Sequence, residues 1–315
     1  MWESFFTPTG LGDLLSAGVR LATPLLLGAL GETVSQKAGT LNIGLESSMI
    51  SGAFFGFATA YISGSLSMGF FMGIIGGVVF SLLHAFISHS LGQNQSVTGT
   101  VLNLFSIGIT SFLFSLINTT NLYPQVRTLS NISIPILSKI PILGEAFFNK
   151  DIVTYFTYLM VIVVAVFLKR TVWGMQLSAV GENPQAADTV GINVIKVRYL
   201  AALFNGAMNG LSGAFLTLVQ LGSFSDNVTS GRGFIALAIV VFGQRNPYGI
   251  LLGSLFIGMA NAMQFKLQIF NIGLPAQFFT GLPYILTIVA LLVSASNRKS
   301  TEPKSLGKPY IRSSR

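Results

Sequence analysis

The chain alternates long apolar runs with short polar breaks. A bilayer core about 30 Å thick is crossed by roughly 20 mostly apolar residues in a helix. Nine runs approach or reach that length: Leu14–Gly31, Ile43–Ser63, Leu66–Ser88, Val97–Asn118, Ile152–Leu168, Tyr199–Gln220, Gly233–Gly243, Tyr248–Gln264 and Phe278–Ser296. The pattern predicts an all-α, polytopic membrane helical bundle of about nine spans, with a range of eight to ten. The seventh run is too short to cross alone in regular helical geometry. It is expected to be tilted, broken, or supported by neighbours that satisfy its backbone.

Composition narrows the class further. Charged residues make up 9% of the 315 residues and the mean hydropathy is +0.69, whereas a soluble domain carries about 25% charged residues. So few charges cannot cover the surface of a soluble protein this size. The 34 Gly and 26 Phe fit a bundle in which small residues seat helix against helix and large apolar ones face lipid. A soluble enzyme, a disordered chain and a nucleic-acid binder are excluded, and the net charge of +8 is read as the placement of loops about a bilayer. With no cysteine, disulfides, thiolate metal sites and cysteine nucleophiles are absent. The opening MWESFFTPTG has no basic n-region and does not read as a cleaved signal peptide.

Lys and Arg are retained on the cytoplasmic side, so the loops set the orientation. One alternating set holds Lys37, Lys169, Arg170, Lys196, Arg198 and Arg245, and the tail adds Arg298, Lys299, Lys304, Lys308, Arg312 and Arg315, twelve in all. The opposite set holds five: Arg127, Lys139, Lys150, Arg232 and Lys266. This predicts the N-terminus outside, the C-terminus cytoplasmic and an odd number of spans. Residues 1–297 then form the transmembrane domain. Residues 298–315 form a basic cytoplasmic tail, expected to be a disordered anchor near anionic lipid.

Small residues four apart (Gly52 and Gly56; Gly69, Gly73 and Gly77; Gly206 and Gly210; Gly249 and Gly253) predict close helix packing. Polar side chains inside the runs must find partners or line water. Asn103, Ser106 and Thr110 share a helical face, as do Asn205 with Asn209 and Asn261 with Gln264. They are candidates either for bundle-internal hydrogen bonds or for a path taken by a neutral polar solute, to which amides offer donors and acceptors. Glu32 and Glu46 flank the first inside loop. Glu46 is the sole candidate for an ion-coupling carboxylate, which disfavours an ion-coupled secondary transporter. His84 and His89 are five apart and form no HExxH pair, no GxSxG elbow occurs, and no GxxxxGK[ST] phosphate loop is present. The chain is therefore not expected to be an enzyme, to hold a metal or to bind a cofactor itself.

The longest inside loop, residues 169–198, differs in kind from the others. In Gly181-Glu182-Asn183-Pro184, Asn183 caps a helix that begins at Pro184 and carries Ala186 and Ala187, and Gly191 is its stop. A helix of about two turns is marginal alone and needs something to dock against.

Three stretches, in order, resemble a known family: ATPLLLGALGETVSQKAGTLNIGLESSMISGAFFGF, AVGENPQAADTVGINV, and GRGFIALAIVVFGQRNPYGILLGSLFIGMANAMQ followed by LPYILT. They are similar to the ABC-importer permeases for branched-chain amino acids, simple sugars and nucleosides, over about Ala22 to Leu292. The likeness is greatest to the shorter permease of paired nucleoside systems. The sequence departs from that pattern at Gln36, where the family has Glu, and at Ser47, where it has Gly. The resemblance implies a multi-pass subunit of the bacterial plasma membrane, with nucleosides foremost and simple sugars or branched-chain amino acids as the alternatives. It also implies a second permease, cytoplasmic ATPases that bind ATP–Mg, and an extracytoplasmic substrate-binding lipoprotein. Coupling to the ATPase is assigned by the resemblance to Gly181, Glu182, Asn183, Pro184, Ala186, Ala187 and Gly191.

Overall fold

A computed structural model describes residues 7–118, 124–269, 275–295 and 301–310. The opening MWESFF, the start of the long outside loop at Thr119, and Arg298, Lys299, Arg312 and Arg315 lie outside the described residues. Each of the nine apolar runs is helical: α1 Pro8–Lys37, α2 Leu45–Ser63, α3 Leu66–Ala85, α4 Gln95–Ile117, α6 Ile152–Arg170, α9 Val194–Phe215, α10 Arg232–Phe242, α11 Pro247–Ile269 and α12 Ala276–Ala295. Between them lie α5 Leu143–Phe148, α7 Val172–Glu182 and α8 Pro184–Thr189. α3 and α9 each end in a π-helical turn, Phe86–Ser90 and Leu216–Leu221. A two-residue antiparallel pair, β1 Ile132–Ser133 with β2 Asn149–Lys150, clips the long loop between α4 and α6.

The helix starts follow local chemistry. Thr7, Ser65, Asn94, Asp151, Thr171, Asn183 and Asn193 each turn a side-chain oxygen back on a backbone N–H of the first turn, which satisfies donors that have no partner within the helix. Among the described residues, six helical stretches are long and apolar enough to cross a membrane: Gly10–Lys37, Leu66–Ser90, Gln95–Ile117, Ile152–Arg170, Val194–Leu221 and Pro247–Gln268. The large exposed side chains Phe71, Leu104, Phe105, Leu159, Ile162 and Leu252 lie on these helices, as a lipid-facing perimeter requires. The molecule is a helical, multi-pass bundle.

Helix α9 is its axis, packed on α1, α2 and α3. The glycines of the sequence pattern form the seam. A Cβ at Gly77 would run into Gly206 O and Gly210 Cα, and one at Gly52 into the backbone of Gly210, so no larger residue permits this approach.

Loops that alternate in sequence gather at two ends. At one end, Thr40 Oγ1 meets His89 Nε2 at 3.0 Å, Leu41 N–H donates to Gln95 Oε1 at 2.7 Å, and Arg245 Nε donates to Gln36 Oε1 at 2.8 Å. At the other, Arg20 Nη2 donates to Val219 O at 2.6 Å and Val126 N–H to Gly222 O at 2.8 Å. His84 and His89 serve this packing, His84 through Nε2 against Gln95 O at 3.1 Å.

The tail differs from the sequence expectation. Its described part, 301–310, is not a free anchor but is docked at the first of these ends, with Pro303 and Ser305 buried. The acceptors that hold it are backbone carbonyls of distant elements, which composition does not reveal.

Candidate functional site

The short helix α10 begins inside the bundle rather than at its edge. Its N-terminus abuts the first turn of α2, where the Glu46 carboxylate accepts from Thr229 Oγ1 at 2.5 Å, Gly231 N–H at 2.8 Å and Gly233 N–H at 2.7 Å. A carboxylate on a helix N-terminus satisfies its free donors and favours its dipole. The expected support for the short seventh run is this side chain. Glu46, considered above for ion coupling, accepts from three donors of its own chain.

Glu32 corrects a reading. Placed by the sequence at the edge of the first loop, it is wholly buried. It accepts from Gln36 Nε2 at 3.0 Å, Asn42 N–H at 3.2 Å and Asn205 Nδ2 at 2.8 Å. Asn209 Nδ2 in turn donates to Asn205 Oδ1. Asn103 spans two elements, receiving Ser47 N–H at 2.9 Å and donating to Ile43 O at 3.0 Å. Ser106 and Thr110 donate to carbonyls of their own helix. All five of these path candidates are buried and engaged by the chain itself.

Asn261 and Gln264 are placed differently. They line a cavity of about 360 Å³ with Leu21, Leu25, Ser230, Arg232, Ile235, Phe265, Thr280 and Tyr284. Four helices meet there: α1, α10, α11 and α12. Amides, hydroxyls, a guanidinium and two aromatic rings converge on one space, a mixture suited to a polar solute with a flat apolar face. Arg232 is oriented by its Nη1, which donates to Val228 O at 3.2 Å and Thr229 O at 3.1 Å. Neither Arg232 nor the hydroxyls and rings were read from the sequence as site residues; they lie in three separate segments, with no local motif to join them.

In the 169–198 loop the predicted short helix is present. Asn183 Oδ1 accepts from Ala186 N–H at 3.1 Å, and Gly191 has φ +87°, a conformation that favours glycine. The helix before it, α7, was not read from the sequence, although Thr171 supplies its cap. Glu182, Asn183, Ala186 and Gly191 are exposed and Pro184 is half-buried. Gly181 and Ala187 are buried, Ala187 in a core cluster with Val180 and Val194. The docking that so short a helix requires is thus partly met within the chain, leaving the Ala186 side free. Among the described residues no group of His, Asp and Glu is arranged to hold a metal ion.

Outside the spanning segments, Lys150 is a perturbed group. Burial, reinforced by Arg20, pushes its ammonium down to about 8, opposed by Asp151 and Glu145. Its Nζ donates to Ser16 Oγ at 2.6 Å and Ser16 O at 3.0 Å, tying the loop before α6 to α1.

The fold is a multi-pass helical membrane bundle with a short, partly exposed helix at one end. The family of branched-chain amino acid transport system permease components matches residues 14–291, and the chain belongs to that family; it is a permease subunit of an ABC transporter. It is 36% identical to the guanosine ABC transporter permease protein NupQ of Bacillus subtilis, over 97% of this chain and 98% of that one. It is 35% identical to the nucleoside ABC transporter permease protein NupC of Lactococcus lactis, over 93% and 94%. It is also 35% identical to TsgC13 of Haloferax volcanii, named for glucose ABC transport, over 95% and 97%. A solved inward-facing structure of a metal-chelate type ABC transporter shares the fold, with a TM-score of 0.50 at 17% identity, covering 93% of this chain and 88% of that one.

Proposed function

We propose that this chain forms part of the membrane path of an ATP-driven importer of nucleosides. The observation that carries the cargo is the 35–36% identity to NupC and NupQ, both named for nucleoside or guanosine transport, over more than nine tenths of each chain. The cavity bounded by Asn261, Gln264, Arg232 and Tyr284 fits that cargo. A nucleoside is neutral and polar at its ribose, which amides and hydroxyls recognise, and flat at its base, on which Phe265 and Tyr284 stack. Asn103, Ser106, Thr110, Asn205 and Asn209 serve as the fixed polar frame beside this path.

The end that carries Lys37, residues 169–198, Arg245 and the tail is cytoplasmic in this reading, by the excess of Lys and Arg there. The exposed side of α8, centred on Ala186 and flanked by Glu182 and Gly191, meets a cytoplasmic ATPase. ATP–Mg is bound and hydrolysed there and not on this chain. A second permease completes the path; the nucleoside permeases NupC and NupB of Lactococcus lactis, 35% and 24% identical to this chain, support pairing of unlike subunits. An extracytoplasmic lipoprotein delivers the solute.

Uptake of labelled guanosine in cells deleted for this chain tests the cargo. Loss of uptake is expected, and unchanged uptake without a redundant system overturns it. The 35% identity to TsgC13 makes a simple sugar the second reading; competition by excess glucose, but not by adenosine, would favour it.

A further inference from the structure

Residues 301–310 lie across the end of the bundle on α7 and the ends of α1 and α9. Helix C-termini leave carbonyls without intrahelical partners, and two of those of α7 are taken by Ser305. Its N–H donates to Gly181 O at 3.0 Å, and its Oγ lies 2.5 Å from the same oxygen and 3.3 Å from Val180 O. Gly307 N–H donates to Gly39 O at 3.2 Å, just beyond α1. Arg198, a buried residue of α9, joins the two sides: its Nε donates to Ala38 O at 3.3 Å and its Nη1 to Lys308 O at 3.1 Å. Glu302 attracts Arg245 in the turn between α10 and α11. Tyr310 reaches a pocket of about 240 Å³ shared with Asp188, Gly191, Ile192 and Asn193, at the C-terminal end of α8. There is no slack at this junction. A Cβ at Gly39 would lie 2.6 Å from Ser305 Oγ, and one at Gly181 would strike Lys37 O.

From this geometry we propose that residues 301–310 are a positioning strap that makes α7–α8 and the ends of α1 and α9 move as one body. The inference rests on the reading of α8 as the ATPase-facing element. α7 and α8 are joined to the spanning helices through the extended Thr171 on one side and Gly191, at φ +87°, on the other. The first is a single extended residue and the second sits in the four-residue link 190–193. Val180 and Ala187 share a core cluster with Val34, Ala38 and Val194, and the strap adds to that packing hydrogen bonds from the end of α7 to the residues just beyond α1 and, through Arg198, to α9.

The test is solute imported per ATP hydrolysed, measured on the complete transporter in proteoliposomes with the labelled solute that the wild-type complex imports. Removing residues 301–315, or Ser305→Pro, which deletes both donors of Ser305, is expected to leave the ATPase bound and hydrolysing ATP. Solute moved per ATP falls about tenfold, the shift produced by losing one or two hydrogen bonds of ordinary net strength. Ser305→Thr keeps both donors and retains wild-type coupling, and Ser305→Ala, which keeps only the N–H, falls between. An unchanged ratio in the truncated chain overturns the proposal. So does loss of the ATPase from the Ser305→Pro and Ser305→Ala complexes, since the strap would then be an assembly contact. If the wild-type chain recruits no ATPase, the reading of α8 itself fails, a result distinct from either.

Discussion

Replacing Glu46 by alanine strips the only acceptor shown for Gly231 N–H and Gly233 N–H, and an acceptor from Thr229 Oγ1. Each buried donor left unpaired costs about 1–3 kcal/mol, so Glu46→Ala is expected to lower the thermal midpoint of the purified chain sharply. Glu46→Gln keeps one acceptor oxygen and loses less. Near-equal midpoints for Ala and wild type would show that α10 does not depend on this carboxylate. Lys150 gives a pH prediction. Its proton affinity falls from 10.5 to about 8 on folding, so between those values the unfolded chain holds more protons and stability rises with pH. Below about 8 both states are protonated and this contribution is flat. Limited proteolysis of the 124–151 loop should therefore slow as pH is raised from 8 towards 10, and Lys150→Met should remove that trend. At this scale the sequence identified residue types better than roles. Asn103 and Asn205 were visible as polar residues within apolar runs, but their partners, Ser47 and Glu32, lie 56 and 173 positions away. No periodicity spans such separations.

At the scale of elements, the seam of α2, α3 and α9 and the exposed helix α8 make opposite demands. At Gly77 any side chain meets backbone atoms of Gly206 and Gly210 that cannot rotate aside. Gly77→Val is expected to destabilise the chain by about 1–3 kcal/mol or more, as overpacking does, and to reduce the folded yield in detergent-resolved gel filtration. Ala186 is exposed on a helix capped by Asn183, so Ala186→Arg should fold and insert normally. If α8 meets an ATPase, this variant and Glu182→Lys cut transport by roughly tenfold, equivalent to about 1.4 kcal/mol of lost contact. Undiminished ATPase association in both would count against that surface. Ala187 is a poorer probe because its methyl is buried within the chain. The cap at Asn183, the start at Pro184 and the stop at Gly191 were legible because each acts within a few residues of its own position. α7 escaped notice because its 11 residues form no apolar run of spanning length.

For the whole molecule, the alternation of loops between two ends followed from the order of apolar runs, and the structure gathers the same loops together. The direction across the membrane rests on charge and is testable because the chain has no cysteine of its own. Gln185→Cys should react with a membrane-impermeant maleimide only after the inner face is opened. Ser130→Cys should react in intact cells; both side chains are exposed. The opposite pattern would invert the topology and remove α8 from any cytoplasmic partner. Each of the nine runs lies on a helix, but only six stretches among the described residues meet the length and hydropathy of an independent span. α2, with Ser47, Ser48 and Ser51 in its buried first half, and the short α10 depend on neighbours to be stable where they are.

The sequence alone determined the helical membrane class, the stretches occupied by the long apolar helices, the close-packing glycines and the short capped helix at 184–189. Each of these is governed by hydrophobicity, capping or steric bulk acting within a turn or two of chain, so it is written where it acts. Only the tertiary structure decided that Glu46 anchors α10, that Glu32 is buried against Asn205, that Asn261 and Gln264 share a cavity with Arg232 and Tyr284, and that the basic tail is strapped onto Gly39, Gly181 and Arg198. A buried polar atom must be satisfied by whichever partner folding brings within about 3 Å. That partner is fixed by how helices far apart in sequence pack together, not by its neighbours along the chain.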